Sequence, residues 1–333
     1  MSQPLLRLLN TPSPSLLIAL ALGLSACGGG GSPGDDDDDD MVGDDDDAEV
    51  DPGDFDSTET VGGDWTCVGD EQILAAGTSG DLQGFVEDFQ DETPVAGAQI
   101  RIWLDNDPTG SVESALEATT DNNGQFSISA SEGIMSCSPF AARVWTEFDP
   151  PETYQTFQNN IILSGSSPFS ETLNSVSYST YQLLPLTVGV EPEAGKGIAA
   201  GRVTDCNGDP ISGAEASVGT VDWVSGTITE AEGYAMRYFR DDEPAHDQLN
   251  ISDDGLFGGM NVPPGEVWSL LIWGIPQDEG HCHRTEDGST VIRPDSNEAY
   301  CLLGLSSITV QPDSVNIANI ELNRVPEGCE ASP

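Results

Sequence analysis

Gly84-Phe85-Val86-Glu87-Asp88 followed by Pro94-Val95-Ala96-Gly97-Ala98 occurs twice in this chain, returning as Gly201-Arg202-Val203-Thr204-Asp205 followed by Pro210-Ile211-Ser212-Gly213-Ala214. Each copy runs on into alternating residues, Gln99-Ile100-Arg101-Ile102-Trp103-Leu104 in the first and Glu215-Ala216-Ser217-Val218 in the second. Further along, Asp121-Asn122-Asn123-Gly124-Gln125-Phe126-Ser127-Ile128 is matched by Ser252-Asp253-Asp254-Gly255-Leu256-Phe257. Gly133 and Pro264-Gly265 then lead into the apolar runs Ala141 to Trp145 and Val267 to Trp273. Two copies of one folding unit is the simplest account.

Outward from these stretches, period-2 segments alternate with Gly, Pro, Asn and Asp clusters, and long helical periodicity is absent, which predicts strands joined by tight turns. Asn123-Gly124 and Asp254-Gly255 are hairpin dipeptides whose residues accept positive φ. Pro94 and Pro210 set φ before a bend. Each copy has the size of a two-sheet sandwich with one core, so the expectation is an all-β chain with sandwiches at residues 61–192 and 196–326. The second copy carries an insertion from Val221 to Leu249, in which Tyr234, Met236, Tyr238 and Phe239 interleave with Arg237 and Arg240. This insertion reads as one more strand with Tyr238 or Phe239 in the core, in preference to a partner-binding edge.

The succession of strand-Asp, Pro-x-x-Gly-Ala, Asp/Asn-Gly-x-Phe and Pro-Gly, over residues 80–146 and 197–273, resembles the carboxypeptidase regulatory-like domains. That resemblance implies two tandem seven-stranded, Ig-like or transthyretin-like β-sandwiches. It also implies no catalysis of their own, because in carboxypeptidases such a domain accompanies a separate zinc enzyme domain. The three histidines, His246, His281 and His283, form no H-E-x-x-H arrangement, and the H-x-x-E match from His283 to Glu286 runs straight into the turn pair Asp287-Gly288 with no helical pattern to put both side chains on one face. The G-x-S-x-G match at Gly30 to Gly34 lies in the glycine-rich run after Cys27, not between a strand and a helix as an elbow requires, and no phosphate-binding loop is present either. A non-catalytic protein without a cofactor is expected.

At the other end of the chain, Arg7, the apolar run Leu16 to Leu22 and Leu24-Ser25-Ala26-Cys27 describe an export signal. The tetrapeptide resembles the lipobox of bacterial lipoproteins. It implies a signal peptide at 1–26, cleavage after Ala26, and acylation of Cys27 by palmitate-like chains that hold the protein on a lipid bilayer. Gly28 is not the aspartate that retains some lipoproteins at the inner membrane, so an outer-membrane address in the cell envelope is expected. Residues 27–60 carry Asp35 to Asp40 and Asp44 to Asp47, and read as a disordered acidic tether.

The chain of 333 residues has 58 acidic and 10 basic residues, a formal charge of −48. Such a charge disfavours nucleic acid and anionic lipid headgroups as partners, leaving an unknown protein or glycan ligand. A second reading is a calcium-binding or sensing lipoprotein. Asp105-Asn106-Asp107-Pro108-Thr109-Gly110 carries two candidate ligands, Asp105 and Asp107, and the glycine of a calcium loop, but Thr109 stands where a ligand is wanted.

Beyond Cys27, six cysteines suggest three disulfides in an oxidising compartment, with 15 possible pairings. The strand order of the resembled sandwiches suggests Cys67–Cys137 within the first domain and Cys206–Cys329 within the second. Cys282–Cys301 would close a short loop.

Overall fold

The computed structural model describes residues 60–68, 74–75, 77–109, 115–277, 281–294, 300–322 and 329. The signal peptide, Cys27 and the acidic tether up to residue 59 lie outside the described residues.

The described residues are all-β with one α-helix. The first half contributes β1 (Leu82–Asp88), β2 (Gln99–Trp103), β3 (Leu116–Thr119), β4 (Gln125–Ile128), β5 (Pro139–Trp145), β6 (Thr153–Tyr154), β7 (Thr156–Ile162) and β8 (Phe169–Ser177), then α1 (Tyr178–Thr187). The second half contributes β9 (Gly197–Thr204), β10 (Glu215–Asp222), β11 (Thr227–Glu230), β12 (Ala235–Arg240), β13 (Glu243–Ala245), β14 (Leu256–Val262), β15 (Val267–Gly274), β16 (Cys301–Thr309), β17 (Val315–Ile317) and β18 (Ile320–Glu321). Three sheets result, ordered β4-β1-β8-β6, β11-β10-β15-β16 and β13-β12-β14-β9-β17-β7-β5-β2-β3, with β18 also on β9.

The repeated stretches share one local geometry. Asp88 ends β1 and Asp205 directly follows β9, and the Oδ1 of each accepts a backbone N–H two residues on, from Gln90 at 2.9 Å and Asn207 at 2.8 Å. Glu87 bridges Pro94, and Thr204 bridges Pro210, so the Asp-to-Pro segment folds back on its own strand. Gly124 and Gly255 (each φ 73°) then seat against that strand, accepting from Val86 N at 2.8 Å and Val203 N at 2.9 Å. A Cβ at either position would stand within 2.8 Å of the facing carbonyl, so both the φ and the close approach require glycine.

In the first lobe the sheet β4-β1-β8-β6 packs on the β3-β2-β5-β7 part of the long sheet, around Leu82, Ile100, Ile102, Val144 and Leu173. In the second, β11-β10-β15-β16 packs on β13-β12-β14-β9, around Val203, Val218, Phe257, Leu270 and Ile272. Four strands thus face four in each lobe, where the resemblance implies seven in all. The insertion supplies β11, β12 and β13, and both Tyr238 and Phe239 are buried.

The lobes are not separate beads. β17 pairs in parallel with β7 of the first lobe and β9 of the second, and this makes one sheet continuous across both. Asn316, in the middle of β17, is fully buried and donates from Nδ2 to Ile198 O at 3.0 Å. Over this seam Val176, Val188, Val190, Ile198, Met260 and Val315 form a core of their own, with Tyr181 and Leu184 of α1 against it.

The expected domain limits therefore need correction at both ends. Residues 61–68 belong to the second lobe: Val61 N donates to Ile275 O at 2.8 Å, and Trp65, 2% exposed, joins that lobe's core. Conversely, Cys329 belongs to the first lobe. The disulfides are Cys67–Cys206, Cys137–Cys329 and Cys282–Cys301. Cys67–Cys137 and Cys206–Cys329 are thereby corrected. Those pairs assume that each sandwich closes on its own ends, whereas residues 60–68 join the second lobe and Cys329 joins the first. Cys282–Cys301 is the same pair in both.

Glu171 of β8 lies where the lobes meet, and its carboxyl is pushed up to about 7 by burial and by the charge of Glu321 on β18. Because the folded form holds the proton more tightly than the unfolded chain, stability is fullest below about pH 4.5. It declines as the pH rises to about 7. Glu171→Gln should leave stability at pH 4 unchanged and raise it at pH 8 by up to about 3 kcal/mol. Urea unfolding at the two pH values checks this, and an equal effect at both would contradict it.

Candidate binding site: the groove between the lobes

The β2–β3 loop of the first lobe meets β15 and β16 of the second across a groove of about 170 Å³ lined by Asn106, Asp107, Thr109, Asn159, Val267, Ser307 and Thr309. Two left-handed asparagines build it. Asn106 (φ 57°) and Asn160 (φ 60°) exchange two hydrogen bonds, Asn106 Nδ2 to Asn160 Oδ1 at 2.7 Å and Asn160 N to Asn106 Oδ1 at 2.9 Å. Asn160 Nδ2 then reaches across to Ser307 O at 2.6 Å and Ser306 Oγ at 3.0 Å. Asparagine tolerates left-handed backbone better than most residues.

This loop contains the calcium candidates, and the structure gives their carboxylates other partners. Asp107 Oδ1 accepts from Thr109 N at 2.9 Å and Thr109 Oγ1 at 2.5 Å, and Asp105 Oδ1 accepts from Asp107 N at 3.3 Å. These are turn-forming contacts. Among the described residues no group of three or more His, Cys, Asp or Glu is disposed to hold a metal ion.

Next to the groove, the outward face of the first lobe's sheet carries Arg101 and Trp103 of β2, Arg143 and Trp145 of β5 and Phe157 of β7. Register places Arg101 opposite Glu117 on one side and Arg143 on the other, and Arg143 opposite Phe157. Arg101 is paired with Glu117 at 2.7 Å. Arg143 has no carboxylate partner among the described residues. Its guanidinium stands 4.2 Å from the Trp145 ring centre and 5.6 Å from that of Phe157. Burial and the neighbouring Arg101 charge lower its pKa. Trp103, 3% exposed, stacks on Phe157 with ring centres 6.3 Å apart. Asn159, two residues beyond Phe157 on β7, continues this surface into the groove.

The sequence reading passed over these residues, treating Gln99 to Leu104 and Ala141 to Trp145 only as strands. The signal was present as Arg-x-Trp, once in each of two strands, in a chain with only ten basic residues.

A second polar centre is internal to the second lobe. Glu215, fully buried at the start of β10, pairs with Arg293 and accepts from Tyr300 Oη at 2.5 Å. Burial depresses the Arg293 guanidinium, but the Glu215 charge outweighs it and the net shift is upward. The Tyr300 hydroxyl is pushed up by burial and by Glu215. Close by, Trp273 Nε1 donates to Ser217 Oγ at 2.8 Å. The histidines are spread: His283 is packed near Trp223, its pKa lowered by burial, and His246 lies against Gly189.

No family model matches the chain, and no curated protein matches it. Among solved structures it is similar to a streptococcal ancillary pilin, at 13% identity over 73% of this chain and 62% of the pilin, with a TM-score of 0.19. The shaft pilin spaA from Lactobacillus rhamnosus GG is matched at 9% identity over 73% of this chain and 98% of that one, with a TM-score of 0.20. Catechol 1,2-dioxygenase from Acinetobacter sp. ADP1 is matched at 13% identity over 33% of this chain and 55% of the enzyme, with a TM-score of 0.20. The matched part thus spans about half of the dioxygenase. TM-scores of this size do not establish a common architecture, and the fold description rests on this chain's own strands.

Proposed function

We propose that the protein is a non-catalytic lipoprotein of the bacterial envelope, acylated at Cys27, whose two fused sandwiches form a rigid structural and binding platform carried on the Asp-rich segment. The observation that supports this most is the crossed stitching of the fold. The first described residues of the chain, 60–68, are clamped to the second lobe by the Val61–Ile275 hydrogen bond, buried Trp65 and Cys67–Cys206. Cys329 is clamped to the first lobe by Cys137. A pull on the tether is therefore taken up by a covalent link to the far lobe, while β17 keeps the two lobes in one sheet. Such an arrangement suits a part that must hold its shape under load.

Attachment is tested by fractionating cells that make the wild-type protein or Cys27→Ala. The wild type should sediment with membranes and its amino-terminal peptide should carry fatty acid by mass spectrometry, since two or more acyl chains suffice for stable anchoring. The variant should appear in the soluble fraction. A wild-type protein recovered soluble and unacylated would end this reading.

A further inference from the structure

Four buried side-chain polar atoms among the described residues have no hydrogen-bond partner, and two of them, Trp103 Nε1 and Arg143 Nε, flank the same ring of Phe157. Both are donors. Buried donors are nearly always satisfied, and leaving one unmet costs about 1–3 kcal/mol, more when it is charged. Both atoms are closed to solvent, so an acceptor arriving from outside meets the Nη groups of the half-buried Arg143, which have no carboxylate partner among the described residues. The surroundings specify that acceptor further. Arg101 faces Arg143 across the strands, and a like-charged pair is unfavourable without an intervening anion. Glu117 serves Arg101 alone among the described contacts.

We propose that this face and the adjoining groove bind a glycan bearing an isolated carboxylate, such as a uronic acid residue within otherwise neutral sugars. The proposal deepens the platform reading above by giving its binding surface a ligand class. The carboxylate accepts from the Nη groups of Arg143, the fork of the guanidinium matching its two oxygens. Neighbouring sugar rings lie on the half-buried Trp145, and their hydroxyls meet the amide and hydroxyl groups of Asn106, Asn159, Thr109 and Ser307 that line the groove. An acidic peptide is the lesser fit. Beyond residue 60 the chain still carries 43 acidic against 9 basic residues, and such a field repels a densely charged partner while a single carboxylate can reach its local cations.

The full-length purified protein is titrated calorimetrically with glucuronate-, galacturonate- and mannuronate-bearing oligosaccharides, their carboxyl-reduced counterparts, and a polyglutamate peptide. At least one uronate oligosaccharide should bind about tenfold or more tightly than its reduced form, the size expected for a charge-assisted pair. Arg143→Gln should remove that difference. Arg202→Gln, on the second lobe and paired with Asp242 in solvent, should bind as the wild type does. Equal affinity for acidic and reduced sugars, undiminished binding by Arg143→Gln, absence of binding, or preference for polyglutamate would each overturn the proposal. Cell fractionation reports on the anchor and titration on the groove, so the two readings can fail separately.

Discussion

Arg293→Met should lower the unfolding free energy by about 3–5 kcal/mol, because it leaves the Glu215 carboxylate buried without its counter-ion. Glu215 is buried between Arg293 and Tyr300, and the guanidinium offsets the cost of keeping its carboxylate out of bulk water. The companion variant Glu215→Gln/Arg293→Met removes both charges and should recover most of the loss, since a buried ion pair contributes little net stability compared with a neutral replacement. Lowering the pH to about 4 should also shrink the penalty of the single variant, because the orphaned carboxyl can then take up a proton. Urea denaturation of the three proteins at two pH values measures all of this. A single variant within about 1 kcal/mol of the wild type would show that the pair is not the buried, mutually dependent unit described.

The second large effect concerns the crossing disulfides. Cys67–Cys206 and Cys137–Cys329 close loops of 139 and 192 residues, against 19 for Cys282–Cys301. On the chain-entropy account, removing either long link by paired Cys→Ser changes should cost about 5 kcal/mol, and removing the short one about 3 kcal/mol. The ranking is the firmer expectation. It follows from the freedom each link takes from the unfolded chain, and denaturation under non-reducing conditions reads it directly. Peptide mapping should recover the 67–206 and 137–329 cross-links. Recovery of 67–137 or 206–329 would mean that each lobe closes on its own ends, and the load-bearing reading would lose its main support.

Much of the architecture was visible along the chain because it is encoded locally. The duplicated Asp-to-Pro turn and the period-2 strands each act within a few residues and reappear in the structure as hydrogen-bonded turns and paired strands. Asn123-Gly124 and Asp254-Gly255 form turns too, but only the glycines take positive φ and neither turn joins two strands that pair with each other, so the hairpin expectation is corrected. The extra strand in the insertion was legible from its strand-forming aromatics, Tyr234, Tyr238 and Phe239, although Tyr238 and Phe239 are adjacent and both are buried. Cys282–Cys301 was legible because its loop is short. The site residues were harder. Arg101 and Arg143 are 42 positions apart in sequence, and only the register of β2 against β5 makes them neighbours. Asn160 gives no sign in the sequence that it bridges two lobes, because its partners Asn106 and Ser307 come from distant segments.

By itself, then, the amino-acid sequence determined that the chain folds into strands, where those strands turn, and that the folding unit is present twice. Tertiary structure alone decided that β17 would fuse the two copies into one sheet, that residues 60–68 and Cys329 would cross to opposite lobes, and that two arginines and two tryptophans would gather on one face. The division follows from the range of the forces involved. Turns and alternation depend on φ preferences and on side-chain period within a strand. Strand partners and disulfide partners depend on which distant apolar faces bury each other best, and that is a property of the folded whole.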